Sequence, residues 1–482
     1  MPKRARPDSL TKTLSSAGVS YQGFTGKQSE DVNGEGRKKS RRIESQARGN
    51  NCFTDKSLCS RCATIDLDRM FSELPHRKVI CKLGIVDQTW EKRDCSMCRL
   101  MAAVRPRDES FQTRYTYSVT PSETTSGDSG LQAGSFDTSY YSVLMTFSEH
   151  DIWLRPFDNY DLSPIPPLIN RSDIPKDLAT RVILGVVPVF ERDLSHERAA
   201  ETLPRSGFIS CAKSSCNPYG SSNTLPVRDL KANAIDFGII RDWLDCCRTK
   251  HSEKCNPKIM DPIRNLLLIN CFTRQIVAPH TSVAFVALSY VWGRPSAETV
   301  KTEKGNYVEN AETVIEDAMR ITRELGYTHL WVDRYCIQES DKDKLHEQLR
   351  NMGILYQNAA VTLIAAAGED ASFGLPGARN HSRNSQPRAQ VKKHLLLSGL
   401  THPQIRIEQS MWASRGWTYQ EALFSRRLVF TEEQVSFECL EMSCRESVEL
   451  SLTAVDGNTR GSAWRSPFLR SWIFPLQGIK GC

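Results

Sequence analysis

Four cysteines in two Cys-x-x-Cys pairs, Cys59/Cys62 and Cys95/Cys98, are the most regular set of soft ligands in this sequence. Two residues between thiolates let one turn supply two sulfurs to a tetrahedral zinc ion. The 32 residues between the pairs exceed the usual ribbon spacing of about 15–20. Cys81 and His76 lie between them as competing ligands. Buried thiols at two helix starts are the alternative reading, and no strand-CxxC-helix pattern of redox type is evident. A third group, Cys247, His251 and Cys255, falls at i, i+4 and i+8, which can line one helix face. A zinc site there would need a fourth ligand from elsewhere, so the trio reads as a packed Cys/His cluster.

A different chemistry is suggested by SRGWTYQEALFSRR (414–427), which sets Arg415, Trp417 and Glu421 close together at what reads as a helix start. About 125 residues earlier, FVALSYVWG (285–293) is an apolar run that stops on Trp292 and Gly293. A Trp offers a flat stacking face, and a Gly lets backbone approach a ligand closely.

The elements that must position these residues follow from periodicity. VAFVALSYVW (283–292) is continuous, apolar and β-branched or aromatic, as in a strand buried on both faces. Residues 311–325 place Val314, Ala318, Ile321 and Leu325 on one helical face, with Gly326 to cap the end. HLWVD (329–333) reads as a second strand. A helix opening at Ser340–Asp343 carries Leu345, Leu349, Met352 and Tyr356, and AAVTLIAAAG (359–368) reads as a third strand. Strand-helix-strand-helix-strand is the pattern of a parallel sheet. Ligands of such sheets bind beyond the carboxyl ends of the strands. Trp292-Gly293, Asp333 and Gly368 end the three strands and are expected at one rim. Upstream, 140–147 and 151–157 read as strands, 164–167 as a proline-marked loop, and the stretch around IDFGIIRDWLDCC as a helix.

Length and composition bound the rest. A chain of 482 residues is large enough for more than one domain. Residues 1–50 hold eleven Lys/Arg against five Asp/Glu, so six of the seven net positive charges sit there. The body is near neutral, which gives no broad basic face for nucleic acid. The clusters PKRAR (2–6) and RKKSRR (37–42) suit either a nuclear-import signal or a solvated disordered tail. No apolar run approaches the roughly 20 residues of a membrane span, and the first residues lack the apolar core of a signal peptide. An intracellular, cytoplasmic protein is expected, with the nucleus as the other location the basic tail allows. Sixteen cysteines then read as reduced thiols or metal ligands rather than disulfides.

FVALSYVWG, LWVDRYCIQ with MGILYQNAAVTLIAAAG, and RGWTYQEALFSRRLVF resemble the three signature blocks of the fungal heterokaryon-incompatibility (HET) domain, in order, over about residues 283–430. The family pattern has Cys-Ile-x-Gln where this chain has Cys336-Ile337-Gln338, one residue shorter. The resemblance implies a flavodoxin/Toll-like parallel sheet with flanking helices. It also implies a part in non-self recognition and programmed cell death. The expected organisation is a disordered basic tail (1–50), a cysteine-pair segment (51–110), a mixed α+β flanking region with strands and a Cys/His helix (111–280), the HET domain (281–430) and a C-terminal extension (431–482). That extension is shorter than in many relatives, as in a truncated copy.

Two functions follow from the resemblance. In the first, the domain is an interaction or self-association module that docks protein partners. In the alternative, it cleaves NAD as a substrate, as some Toll-like domains do. Glu421 would then stabilise the oxocarbenium-like state, Arg415 would clamp phosphate, Trp292 and Trp417 would stack, and Asp333 would hold ribose hydroxyls. The bland alternatives are an ion pair for Arg415, a cap for Glu421 and Asp333, and core packing for the tryptophans. Cys336 reads as a buried thiol, since no His is positioned to activate it. There is no phosphate-binding GxxxxGK[ST], GxSxG, HExxH or GxGxxG motif. No cofactor beyond zinc and NAD is suggested.

Overall fold

A computed structural model describes residues 58–449, apart from 73–77, 107–139, 149–180, 191–202, 204–205, 214–223, 252–254, 256–262, 280–282, 294–305, 338–341, 380, 416–420, 422–424 and 441. The basic tail, the strand expected at 151–157, the proline loop, His76, Gln338 and Trp417 lie outside the described residues.

The three expected strands form β7 (Phe285–Ser289), β8 (His329–Trp331) and β9 (Val361–Ala365). They are parallel, with β7 in the middle: Val286 pairs Leu330 on one side and Val361 on the other. Every residue of β7 and β9 is buried, as a strand covered on both faces requires. A fourth parallel strand, β12 (Arg427–Phe430), lies against β9. Their spatial order is β8-β7-β9-β12, or second, first, third, fourth along the chain.

The sheet is mixed rather than wholly parallel. β5 (Leu268–Asn270) and β6 (Ile276–Val277) add antiparallel strands beside β8, while β13 (Val435–Glu438) and β14 (Ser443–Arg445) do so beside β12. Short turns join β5 to β6, β12 to β13 and β13 to β14, and a short turn joins only antiparallel neighbours, whereas a parallel neighbour needs a crossover of a dozen or more residues.

The helix Thr313–Glu324 buries Val314, Ala318, Ile321 and Leu325. Gly326, at φ 84°, closes it: its N–H bonds to the Arg323 carbonyl and that of Tyr327 to Thr322. The next helical stretch is broken at Asn351 into Lys342–Arg350 and Met352–Asn358. Met352 and Tyr356 reach the core, but Leu345 is only half-buried and Leu349 is exposed, because the break lets the first piece leave the sheet.

A second, six-stranded antiparallel sheet holds β1 (Val79–Gly84), β2 (Tyr140–Ser148), β3 (Val182–Phe190) and β4 (Ile209–Cys211). It is completed by the hairpin β10 (Arg388–Val391) and β11 (His394–Ser398), whose β11 pairs with β4. Residues of one face, such as Leu144 and Leu184, pack on the cysteine-bearing helices, and Val143, Met145 and Phe147 pack on the other.

Candidate functional site

The carboxyl ends of β7, β8 and β9 gather the side chains that spacing singled out. Ser289, the last residue of β7, donates its hydroxyl hydrogen to Glu421 Oε2 in a very short bond. The same hydroxyl accepts from Trp412 Nε1 at 2.6 Å. Arg415 donates to the Tyr290 carbonyl at 2.6 Å and places a guanidinium nitrogen 3.6 Å from Glu421 Oε1. Both oxygens of a carboxylate that is 2% exposed are therefore engaged. Burial raises the Glu421 pKa, while the Arg415 charge and the Ser289 hydrogen bond oppose the rise.

Asp333 opens a short helix (Asp333–Cys336) directly after β8. Its Oδ2 accepts from Trp292 Nε1 at 2.8 Å and its Oδ1 from the Arg334 N–H at 2.7 Å. Burial holds the carboxyl at about 6; the Glu421 charge adds to this, and the Trp292 bond and Arg415 pull the other way. The Arg334 guanidinium sits 5.6 Å over the Trp292 ring and pairs closely with Glu312. The Tyr290 hydroxyl, from a residue 1% exposed, has no hydrogen-bond partner among the described residues. Two carboxyls whose pKa values burial raises, one guanidinium and an exposed indole thus share a single rim.

Gly293 and Gly368 have φ of 79° and 73°. A Cβ at Gly293 would meet the Asp370 Cβ at 2.5 Å, and one at Gly368 would meet Phe373 at 2.2 Å. Each glycine thus admits a neighbouring side chain of the same rim. Cys336 is fully buried, accepts from the Val332 N–H, and is pushed up to about 12 by burial, which makes it an inert core thiol. Ser289, Tyr290 and Trp412 were not singled out from the sequence. The signal for Ser289 was present: it is the one small polar side chain inside the apolar run FVALSYVWG.

The Heterokaryon incompatibility protein (HET) family model matches residues 285–421, a span that begins at β7 and ends on Glu421. The chain carries a HET domain. The match takes in Ser289, Trp292, Asp333, Arg415 and Glu421, so the whole rim lies within the HET domain. No curated protein and no solved structure matches the chain.

The paired cysteines also come together. Cys59 and Cys95 precede the first turns of the helices Ser60–Ala63 and Ser96–Ala103, and Cys62 and Cys98 lie within them. The Cys98 sulfur is 3.7 Å from both Cys59 and Cys62, and all four sulfurs lie within 4.8 Å of one another. A tetrahedron with metal–sulfur bonds of about 2.3 Å has edges of about 3.8 Å. The spacing therefore suits a metal and is too long for a disulfide, which needs about 2.05 Å. Burial would raise the Cys59 thiol, but hydrogen bonds from the Cys62 N–H and the other three thiols hold it at about 7. Cys81 is not a member of this group; it sits half-buried in β1. The long spacer is accommodated because β1 lies between the two helices in sequence.

Proposed function

We propose that the protein acts inside the cell in fungal non-self recognition and the ensuing programmed cell death, with the HET domain as its interaction and self-association module. The observation that carries this reading is the division of side chains at the rim. Its charges are paired inward, while Trp292, three residues after Ser289, and Met411, next to Trp412 in the chain, are 42% and 51% exposed. Exposed aromatic and Met side chains are what docking surfaces use. Full-length chain carrying Trp292→Asp and Met411→Asp is expected to lose both self-association in sedimentation and toxicity on overexpression. Glu421→Gln is expected to keep both. Association unchanged in the double variant would discard this reading.

A second reading, NAD cleavage of the Toll-like kind, is favoured by the convergence of Asp333, Arg415 and Glu421 beside Trp292. The second-first-third-fourth strand order agrees with a flavodoxin-like sheet, and the Tyr290 hydroxyl, which has no partner among the described residues, leaves a donor at the rim. Glu421 would shield the positive charge that develops at the ribose carbon once Arg415 turned toward phosphate. Nicotinamide release by the full chain, abolished by Glu421→Gln, would establish this activity; no release by the unaltered chain would dismiss it.

The Cys59–Cys62–Cys95–Cys98 group is proposed as a closed structural zinc site, since four sulfurs leave no open position for chemistry. It would fasten the two short helices to each other. Zinc content before and after Cys59→Ser with Cys95→Ser tests this.

A further inference from the structure

The helix Phe237–Lys250 carries Cys247 in its last turn and His251 at its C-cap. The turn continues: the His251 N–H bonds to the Cys247 carbonyl at 3.1 Å, and the Cys255 N–H to the His251 carbonyl at 2.8 Å. Successive turns therefore stack the three side chains along one face. The missing fourth ligand comes from far along the chain. Cys439 directly follows β13, where its N–H bonds to the Met442 carbonyl and closes the β13–β14 hairpin. Its sulfur lies 3.4 Å from His251 Nδ1, and the four ligand atoms lie within 4.8 Å of one another.

We propose that Cys247, His251, Cys255 and Cys439 form a tetrahedral Cys3His zinc site that pins the 237–250 helix to the edge hairpin of the HET-domain sheet. Three observations carry it. The donor set is one that structural zinc takes, and a sulfur–nitrogen edge of such a tetrahedron is about 3.6 Å. All four residues are buried, with relative exposures of 1%, 7%, 5% and 3%. Burial shields the three thiols and the imidazole from solvent, and one cation would satisfy all four ligand atoms together. The surroundings are also preset. Trp243, one turn before Cys247, stacks on Phe437, two residues before Cys439, with ring centroids 6.4 Å apart and planes 24° apart. The ordinary alternative is a set of thiols hydrogen-bonded to an imidazole with no metal.

The site is independent of the Cys59–Cys62–Cys95–Cys98 group, and the test separates the two. Full-length Cys59→Ser/Cys95→Ser protein, confirmed folded by circular dichroism, is loaded with cobalt and its bound metal is counted. The expected result is one equivalent with the visible bands of tetrahedral cobalt and sulfur-to-metal charge transfer. Adding Cys439→Ser should abolish those bands, while adding His251→Cys should retain the metal and shift them. Folded double variant without bound cobalt would overturn the proposal, as would a spectrum unmoved by His251→Cys. If the double variant does not fold, His251→Cys is made in the otherwise unaltered chain. A shifted cobalt spectrum with unchanged metal content supports the site, and an unmoved spectrum overturns it.

Discussion

Ser289 and Glu421, 132 positions apart, share one hydrogen at the end of β7. The serine hydroxyl donates a hydrogen bond to the buried Glu421 carboxylate and accepts one from the Trp412 indole N–H. It ties Glu421, the last residue of the family-matched span, to Trp412 and the small core of Ile364, Ile407, Trp412 and Val429.

Replacing Ser289 with alanine leaves a buried indole N–H and a carboxylate oxygen without their partner. A loss of roughly 2–4 kcal/mol is expected, since each orphaned buried group costs about 1–3 kcal/mol. Urea unfolding of Ser289→Ala against the unaltered chain measures it. A change below about 0.5 kcal/mol, the usual range for an inconsequential substitution, would show that the contact is not formed.

Asp333 gives the rim a pH signature. Its carboxyl, held at about 6 against an ordinary 3.8, keeps a proton in the folded chain that the unfolded chain has released. Its contribution therefore makes stability fall as pH rises through that window. Asp333→Asn removes the effect, so the variant should gain on the unaltered chain between those values, with the gap levelling above them. Denaturation midpoints at several pH values test this; a variant that loses ground to the unaltered chain as pH rises would contradict the assignment.

Arg383 and Glu446 form an ion pair whose side chains are 1% and 2% exposed. Arg383 also donates to the carbonyls of Lys231 and Ala234, while Glu446 accepts from the Val435 N–H at 3.1 Å. Glu446→Ala strands a buried guanidinium and should cost about 3–5 kcal/mol. The double variant Arg383→Met/Glu446→Leu should recover most of it. No recovery would mean that the carbonyl contacts, rather than the charge, hold these segments together.

Gly293→Ala forces a φ of 79° on a residue with a Cβ and drives that atom to 2.5 Å from Asp370. Such backbone strain costs on the order of 1–3 kcal/mol, before the clash is relieved. Gly326→Ala is the control, because it has the same φ sign with nothing within 4 Å. A thermal unfolding series should rank Gly293→Ala as the more damaging of the two.

The central strands were legible because burial on both faces leaves an unbroken apolar run. The 313–324 helix was legible because its stripe ends on a glycine. β12 to β14 were not read, because their buried positions include charges. Arg427 and Glu438 sit opposite each other across β12 and β13 and pair at 2.7 Å, so they hide each other's charge from solvent but not from a hydropathy reading. β10 escaped for a similar reason, with half its residues exposed. Of the site, Trp292, Asp333, Arg415 and Glu421 do meet. Cys439 could not have been assigned to Cys247, His251 and Cys255 without the register of β13, since spacing within one helix carries no information about a distant hairpin.

The β10–β11 hairpin has a consequence for the order of synthesis. It comes from within the family-matched span, yet its β11 covers the edge of β4 in the other sheet. A nascent chain emerging from the ribosome can lay down β1 to β4 early, but that assembly keeps a bare flank until residue 398 has been translated. Unpaired flanks of this kind invite wrong neighbours. The antiparallel sheet is therefore complete only once β10 and β11 have been made, and a fragment cut at the sequence border between the sheets would deprive it of two strands.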